Sequence, residues 1–340
     1  MAKKLTLEEI GRLAGVSRST VSRVVNGQPD VSADVREHVL QVVRDTGFVP
    51  NPAARSLAAQ RSGVLGLVVP RSVATFFGDP YFSRLTQGIT QACNERGYML
   101  SLFLFYSQKD EELLLPRLSQ GSFLDGVIVQ ATTDDDPIIP QLQKGATPFL
   151  VVGRLNQMPD DLSYLDVDNA SGAYSAVEHL IKFGHKRIAH VTGRLDNRAG
   201  TDRLLGYQKA LQDHNFPIEK NLIVNGDFTE EGGYASVQHL LPYKPDAIFV
   251  GSDTMAVGVI NALKSAGVLI PKDVAVMGFD DLLPALRTDP QLSTIKQPIL
   301  RFGISAVDVL TDIIEKGSTP PHQALYNTEL IIRDSCGAKL

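Results

Sequence analysis

Two groups of residues in this sequence have the types and spacing to do recognition chemistry. The first lies in "GVSRSTVSRVVNG", where Arg18, Ser19 and Arg23 project from what reads as a helix whose Val21, Val24 and Val25 face inward. A guanidinium fork matches guanine O6 and N7 together, whereas a serine hydroxyl discriminates weakly. Arg18, Ser19 and Arg23 are therefore candidate base readers, with Ser17, Ser22, Asn26 and Ser32 as candidate phosphate contacts. The second group is scattered: Phe77 and Asp79 in "RSVATFFGDPYF", Arg154 after "FLVVG", Arg203 in "GTDRLLGY", Phe228 after "LIVNGD", Ser252 after "AIFVG" and Asp280 after "VAVMGF". Aromatic rings stack on the apolar faces of a polyol, while arginines and carboxylates form paired hydrogen bonds with vicinal hydroxyls.

Reactive constellations are missing from the sequence. It contains no G-x-S-x-G elbow, phosphate-loop lysine motif, H-E-x-x-H or G-x-G-x-x-G, and its seven histidines do not cluster. The run Asp134 to Asp136 reads as a polar loop before Pro137, and Cys93 and Cys336 lack metal-ligand spacing. Neither an enzyme, a cofactor nor a metal site is expected. Charge is polarised: residues 1–61 carry nine Lys/Arg against six Asp/Glu, although the whole chain has a net charge of −5. A polyanion partner is implied for that segment alone. The opening "MAKKLTLEEI" lacks a signal-peptide apolar core, no run is long enough to span a bilayer, and two lone cysteines fit a reducing cytoplasm.

The elements that must hold the first group are three short helices. Thr6 and Glu9 form a capping box ahead of an apolar face through Leu7, Ile10 and Leu13, and the helix ends near Gly15. After the turn "AGV", Ser17 caps the second helix; Ser32 caps a third, which buries Val35, Val39, Val42 and Val43 and ends at Gly47. This pattern predicts a small all-α helix-turn-helix domain over residues 1–49, whose second helix enters the major groove. Next, "NPAARSLAAQRSG" offers Pro52 at a first helical turn and a run too short to be stable alone. A linker over 50–62 that folds against DNA, with Ala54 and Leu57 at the minor groove, accounts for both features.

Residues 63–340 must position the second group. Continuous apolar runs "VLGLVVP", "YMLSLFLF", "DGVIVQ" and "FLVVG", then "RIAHVTG", "LIVNGDF", "AIFVGSD" and "VAVMGFD", alternate with helical stretches, and "ALYNTELIIR" reads as a last strand. Such runs predict parallel sheets covered on both faces, in two doubly wound α/β subdomains. Ligands of open α/β sheets bind beyond the carboxyl ends of the strands, where the scattered residues fall. Asp253 reads as a cap of the following helix.

"TLEEIGRLAGVSRSTVSRVVNG", "VSADVREHVLQVVRDTGFVPNPAARSLA", "GFDD" and "TIKQP" together resemble the lactose/galactose repressor (LacI/GalR) family of bacterial transcription regulators, from Thr6 to Arg333. The resemblance implies a homodimer on a palindromic operator, paired hinge helices, and a type I periplasmic-binding-protein-like core holding a small-molecule effector. Arg203, Phe228, Ser252 and Asp280 fall at the family's effector-contacting positions, which makes a sugar or glycoside the expected effector and a repressor of sugar-utilisation genes the expected role. One departure is Gly153 beside Arg154, where the lactose repressor has an acidic residue. A purine or nucleoside effector, or a phosphorylated partner protein, is the alternative mode of control. No leucine heptads follow "ALYNTELIIR", so a tail-formed tetramer is not expected.

Overall fold

The computed structural model describes residues 5–48, 61–69, 73–120, 123–130, 133, 136–317 and 319–338. Contacts within the chain separate Met1–Ser62 from Gly63–Leu340. In the first unit, α1 (Leu7–Leu13), α2 (Arg18–Val25) and α3 (Ala33–Thr46) enclose a core of Ile10, Ala14, Val21, Val24, Val39 and Phe48. The capping box is complete: Glu9 N–H donates to the Thr6 hydroxyl, and Thr6 N–H donates to the Glu9 carboxylate at 2.8 Å. The face of α1 runs through Leu7, Ile10 and Ala14, while Leu13, expected inside, is 53% exposed. At about 100° per residue Leu13 lies about 120° around the helix from Leu7, whereas Ala14 returns to within about 20° of it and takes the place. Gly15, at φ 65°, lets the chain reverse between α1 and α2. The hinge expected over 50–62, with Ala54 and Leu57, lies outside the described residues except for Arg61 and Ser62.

The second unit contains two sheets. The chain first lays down β1 (Val64–Val69), β2 (Met99–Leu104), β3 (Gly126–Gln130), β4 (Phe149–Val152) and β5 (Tyr164–Val167) in one sheet. It then crosses to β6 (Ile188–Thr192), β7 (Ile223–Asn225), β8 (Ala247–Val250), β9 (Ala275–Asp280) and β10 (Ser293–Lys296) in the other. After the helix Ile299–Lys316, β11 (Gln323–Tyr326) returns to the first sheet and β12 (Glu329–Ile331) to the second. The strand orders are β11-β5-β4-β3-β1-β2 and β12-β10-β9-β8-β6-β7. The stretch "ALYNTELIIR" is thus two strands in different sheets, not one. The sheets are also not wholly parallel, since β12 pairs antiparallel with β10.

Strand alternation explains why the apolar runs are continuous. Leu65, Leu67 and Val69 pack on one side of the first sheet and Val68 on the other; Ile248 and Val250 oppose Ala247 and Phe249 in the second. Both faces of each sheet are covered, so neither set can be polar. The helix pair Pro80–Glu95 and Ile299–Lys316 approaches closely: a Cβ on Gly88 would lie 2.2 Å from the Leu300 carbonyl oxygen. That contact ties the long crossover helix to the first sheet. The two lobes therefore exchange chain three times, at 167–169, 296–299 and 327–328, and the cavity described next lies beside the first two crossings.

Candidate functional site

In the head, Arg18, Ser19 and Arg23 are exposed on α2, and Asn26 and Ser32 are exposed as well. The Ser17 hydroxyl accepts from Thr20 N–H at 3.1 Å and lies 2.7 Å from the Ser19 hydroxyl, so it closes the N-terminus of α2. Ser22 accepts from the Asn26 amide at 3.3 Å. Ser32 stands before α3 without a side-chain capping bond, which leaves its hydroxyl outside the helix's own hydrogen bonding.

In the core, a cavity of about 200 Å³ is lined from both lobes. The first lobe contributes Asp79 and Tyr81 after β1, Gln130 at the end of β3 and Thr133 beyond it, Gly153 and Arg154 after β4, and Asp166 at β5. The second contributes Arg194, Asn197 and Arg203 after β6, Asp227 and Phe228 after β7, and Asp280 at the end of β9. Asn169 and Gln297 come from the two crossings. Of the residues expected here from sequence, Asp79, Arg154, Arg203, Phe228 and Asp280 meet at this cavity.

Two do not. Phe77 is 74% exposed, packs edge-on against Phe76, and does not line the cavity. Ser252 is buried with its hydroxyl accepting from Met255 N–H at 3.2 Å, so it caps the helix Asp253–Ser265. Asp253, expected as the cap, instead accepts from Leu282 N–H at 2.9 Å and from the Thr294 hydroxyl at 2.6 Å. Ser252 takes the cap because the first turn directs Asp253 inward to Thr294 on the strand beneath it, and neither residue lines the cavity. Sequence reasoning also missed Asp166, Asn169 and Gln297. Gln297 lies in the motif "TIKQP", and Asp166 and Asn169 in "YLDVDNA", whose polar residues hide a strand end.

A hydrogen-bonded chain crosses the cavity floor. Arg154 Nε donates to Asp166 and Arg154 Nη2 to Asp202, both at 2.8 Å, so one guanidinium bridges the lobes. Asn169 donates to the Val167 carbonyl at 3.2 Å and accepts from Arg203 Nε at 2.9 Å. Arg203, only 4% exposed, also donates to the Gly251 carbonyl, lies 3.6 Å from Asp280 and stacks over Phe279 at 3.8 Å from the ring centroid. Asp280 accepts from the Gln297 amide at 2.5 Å. Burial pushes the Asp280 carboxyl up to about 7, with Arg203 opposing the rise and Asp79 adding to it. Asp79 is raised by burial against the Tyr81 N–H bond, and Asp166 by burial against Arg154.

Backbone conformation marks the same wall. Phe228 has φ 69° and Asp280 φ 120°, values costly for residues bearing a Cβ and held only where surroundings over-determine them. A Cβ on Gly193 would lie 2.0 Å from the Phe228 ring, so glycine is what admits the ring. Asp281, at φ 59°, is anchored by Arg333 at 2.5 Å, which also donates to the Leu292 carbonyl at 2.8 Å. Among the described residues, no cluster of side chains could hold a metal ion, and no helix is long and apolar enough to cross a membrane.

A two-lobed α/β ligand-binding core following a helix-turn-helix head defines a ligand-responsive transcription regulator. Residues 6–51 match the bacterial regulatory proteins, lacI family, and residues 177–336 match the periplasmic binding protein-like domain. The HTH-type transcriptional regulator CelR of Thermobifida fusca is 36% identical over 98% of this chain and 98% of its own length. The structure of a CelR-cellobiose complex superposes with a TM-score of 0.77 at 35% identity, covering 97% of this chain and 99% of that one. The lac repressor dimer bound to operator and the anti-inducer ONPF superposes with a TM-score of 0.83 at 26% identity, covering 98% and 99%. The chain belongs to the LacI family and is a DNA-binding transcriptional repressor, not an enzyme.

Proposed function

We propose that the protein binds a palindromic operator as a homodimer, in the cytoplasm, and represses sugar-utilisation genes under the control of a sugar or small glycoside held in the cavity. Residues 1–49 are the reading head, 50–62 the hinge and 63–340 the effector-binding and dimerising core. Arg18, Ser19 and Arg23 read base edges, and Ser17, Ser22, Asn26 and Ser32 hold phosphates. Ala54 and Leu57 enter the minor groove. The observation that carries the effector assignment is the convergence of Asp79, Asp280 and the Phe228 ring on one cavity, over a floor fixed by Arg203. Carboxylate oxygens accept from vicinal hydroxyls while the ring covers an apolar sugar face. The cellobiose carried by the CelR structure supports carbohydrate as the ligand class.

Ligand seated across both lobes biases their closure, and closure shifts the pairing of the two hinges on DNA. The test uses the full chain. Duplexes selected from a random pool give the operator, and cellobiose, ribose, glucose, guanine and hypoxanthine are then titrated calorimetrically. A palindrome and a sugar-dependent heat are expected, and a sugar at 100 times its dissociation constant adds about 2.7 kcal/mol to stability. Heat from a purine with none from any sugar contradicts the sugar reading.

A further inference from the structure

We infer that the cavity selects neutral polyols and rejects the phosphate esters and carboxylic acids of the same sugars. The inference rests on the reading of the cavity as a carbohydrate site and adds its charge selectivity. Three arginines line the cavity, and each is already matched by a carboxylate. Arg154 is clamped between Asp166 and Asp202, both at 2.8 Å, and Asp202 takes Arg198 at 2.8 Å as well. Arg203 faces Asp280 and spends its other donors on Asn169 and the Gly251 carbonyl. Arg194 forms a fork with Asp196 at 3.0 and 2.5 Å.

Acidic groups exceed these cations on the wall. Asp79 and Asp227 both line the cavity, and neither is in an ion pair with a lining arginine. Helix N-termini are the other ready anion sites in such folds. Here the N-terminus of Pro80–Glu95 is occupied by the Asp79 carboxylate, and that of Arg198–Asp213 by the Asn197 side chain. A phosphate or carboxylate entering the cavity would meet like charge at Asp79 and Asp227, the carboxylates outside those ion pairs, with its would-be partners already committed. A hydroxyl, in contrast, can donate to those carboxylates. Thr133, whose buried hydroxyl has no hydrogen-bond partner among the described residues, suits the same neutral ligand.

The experiment is calorimetry of the full chain with matched pairs: glucose with glucose 6-phosphate and glucuronate, ribose with ribose 5-phosphate, and cellobiose with cellobionate. At least one neutral member binds, and its anionic partner binds about tenfold or more weakly, as like-charge juxtaposition in a low-dielectric site dictates. An anionic member binding as tightly as its neutral parent overturns the charge selectivity and leaves the sugar assignment standing. If no member of any pair binds, both fall. Two variants test the cause. Asp202→Asn unbalances Arg154 and Arg198, and Asp227→Asn, on an exposed residue, removes a wall charge without disturbing the core. Each should move the anion-to-neutral affinity ratio about fivefold or more towards the anion. An unchanged ratio in Asp227→Asn, whose fold is not at stake, overturns charge matching as the cause.

Discussion

The head and the cavity handle their charged residues in opposite ways. On α2, Arg18 and Arg23 are exposed, and neither guanidinium has an ion-pair or hydrogen-bond partner among the described residues. Around the cavity, Arg154, Arg194 and Arg203 are each bonded to carboxylates or carbonyls of the protein itself. An uncommitted arginine on a rigid helix is suited to a polyanion, since nothing must be broken before it pairs. A committed one positions its neighbours instead: Arg203 holds Asp280 in place against a backbone conformation that disfavours it. Substitutions in the head should therefore change binding with little effect on folding, whereas those on the cavity floor should change folding first.

The sharpest test of that division is Arg203→Met. It leaves Asp280 buried beside Asp253 and Asp79 without the cation that offsets them, and should cost about 3–5 kcal/mol of stability by urea unfolding. A loss under about 1 kcal/mol would break the contrast between floor and head.

The next effect is pH-dependent. His190 is wholly buried between Tyr207 and Phe249, donating its Nδ1–H to the Phe249 carbonyl at 2.9 Å, and burial lowers its pKa from 6.5 to about 4. The unfolded chain thus binds a proton that the folded chain refuses, and this group's contribution, full above pH 6.5, is lost as pH falls towards 4. The loss amounts to about 3 kcal/mol. Asp280 acts in the opposite sense. Its folded pKa of about 7 lies above the ordinary 3.8, so its contribution is present at low pH and lost as pH rises through 7. Comparing wild type with His190→Phe isolates the histidine: their stability difference should shrink by about 3 kcal/mol between pH 6.5 and 4 in favour of the variant. Parallel curves would remove His190 from the account.

Smaller effects are expected in the head. Arg23→Ala should lower operator affinity by about 1–3 kcal/mol with little change on scrambled DNA, while melting temperature stays fixed. Equal losses on both duplexes would make Arg23 a phosphate contact. Ser32→Ala should weaken both duplexes alike. Ser17→Ala, which removes the hydroxyl that caps α2, should cost the free head about 1 kcal/mol before any DNA is added. An unchanged melting profile would mean that Ser17 serves DNA alone.

The same division decides what the sequence discloses. Helix periodicity and caps are local, so α1, α2 and α3 could be read from Thr6, Ser17 and Gly47; the exceptions are Leu13, which is exposed, and Ser32, which precedes α3 without the side-chain cap expected of it. Strands with both faces covered are equally plain in "VLGLVV" or "AVMGFD". By contrast, β5 and β10 are four residues long and carry polar residues, Asp166 in one and Ser293 and Thr294 in the other, whose partners come from remote segments. The crossing at Asn327 and Thr328 has no local signature, which is why one apparent strand proved to be two. At the cavity, carboxylates and arginines placed after strand ends were legible as a set. Whether a given side chain faces ligand or is consumed by a cap depends on the adjoining turn, and that is how Phe77 and Ser252 were misplaced and Asp166, Asn169 and Gln297 overlooked.

Coupling between cavity and operator is read as operator affinity, by fluorescence anisotropy, with and without a saturating neutral sugar whose binding heat has been recorded. A change of about tenfold, equivalent to about 1.4 kcal/mol, is expected, with a matching change in sugar affinity when the operator is bound. A sugar that binds the protein with clear heat yet leaves operator affinity unaltered would contradict that coupling.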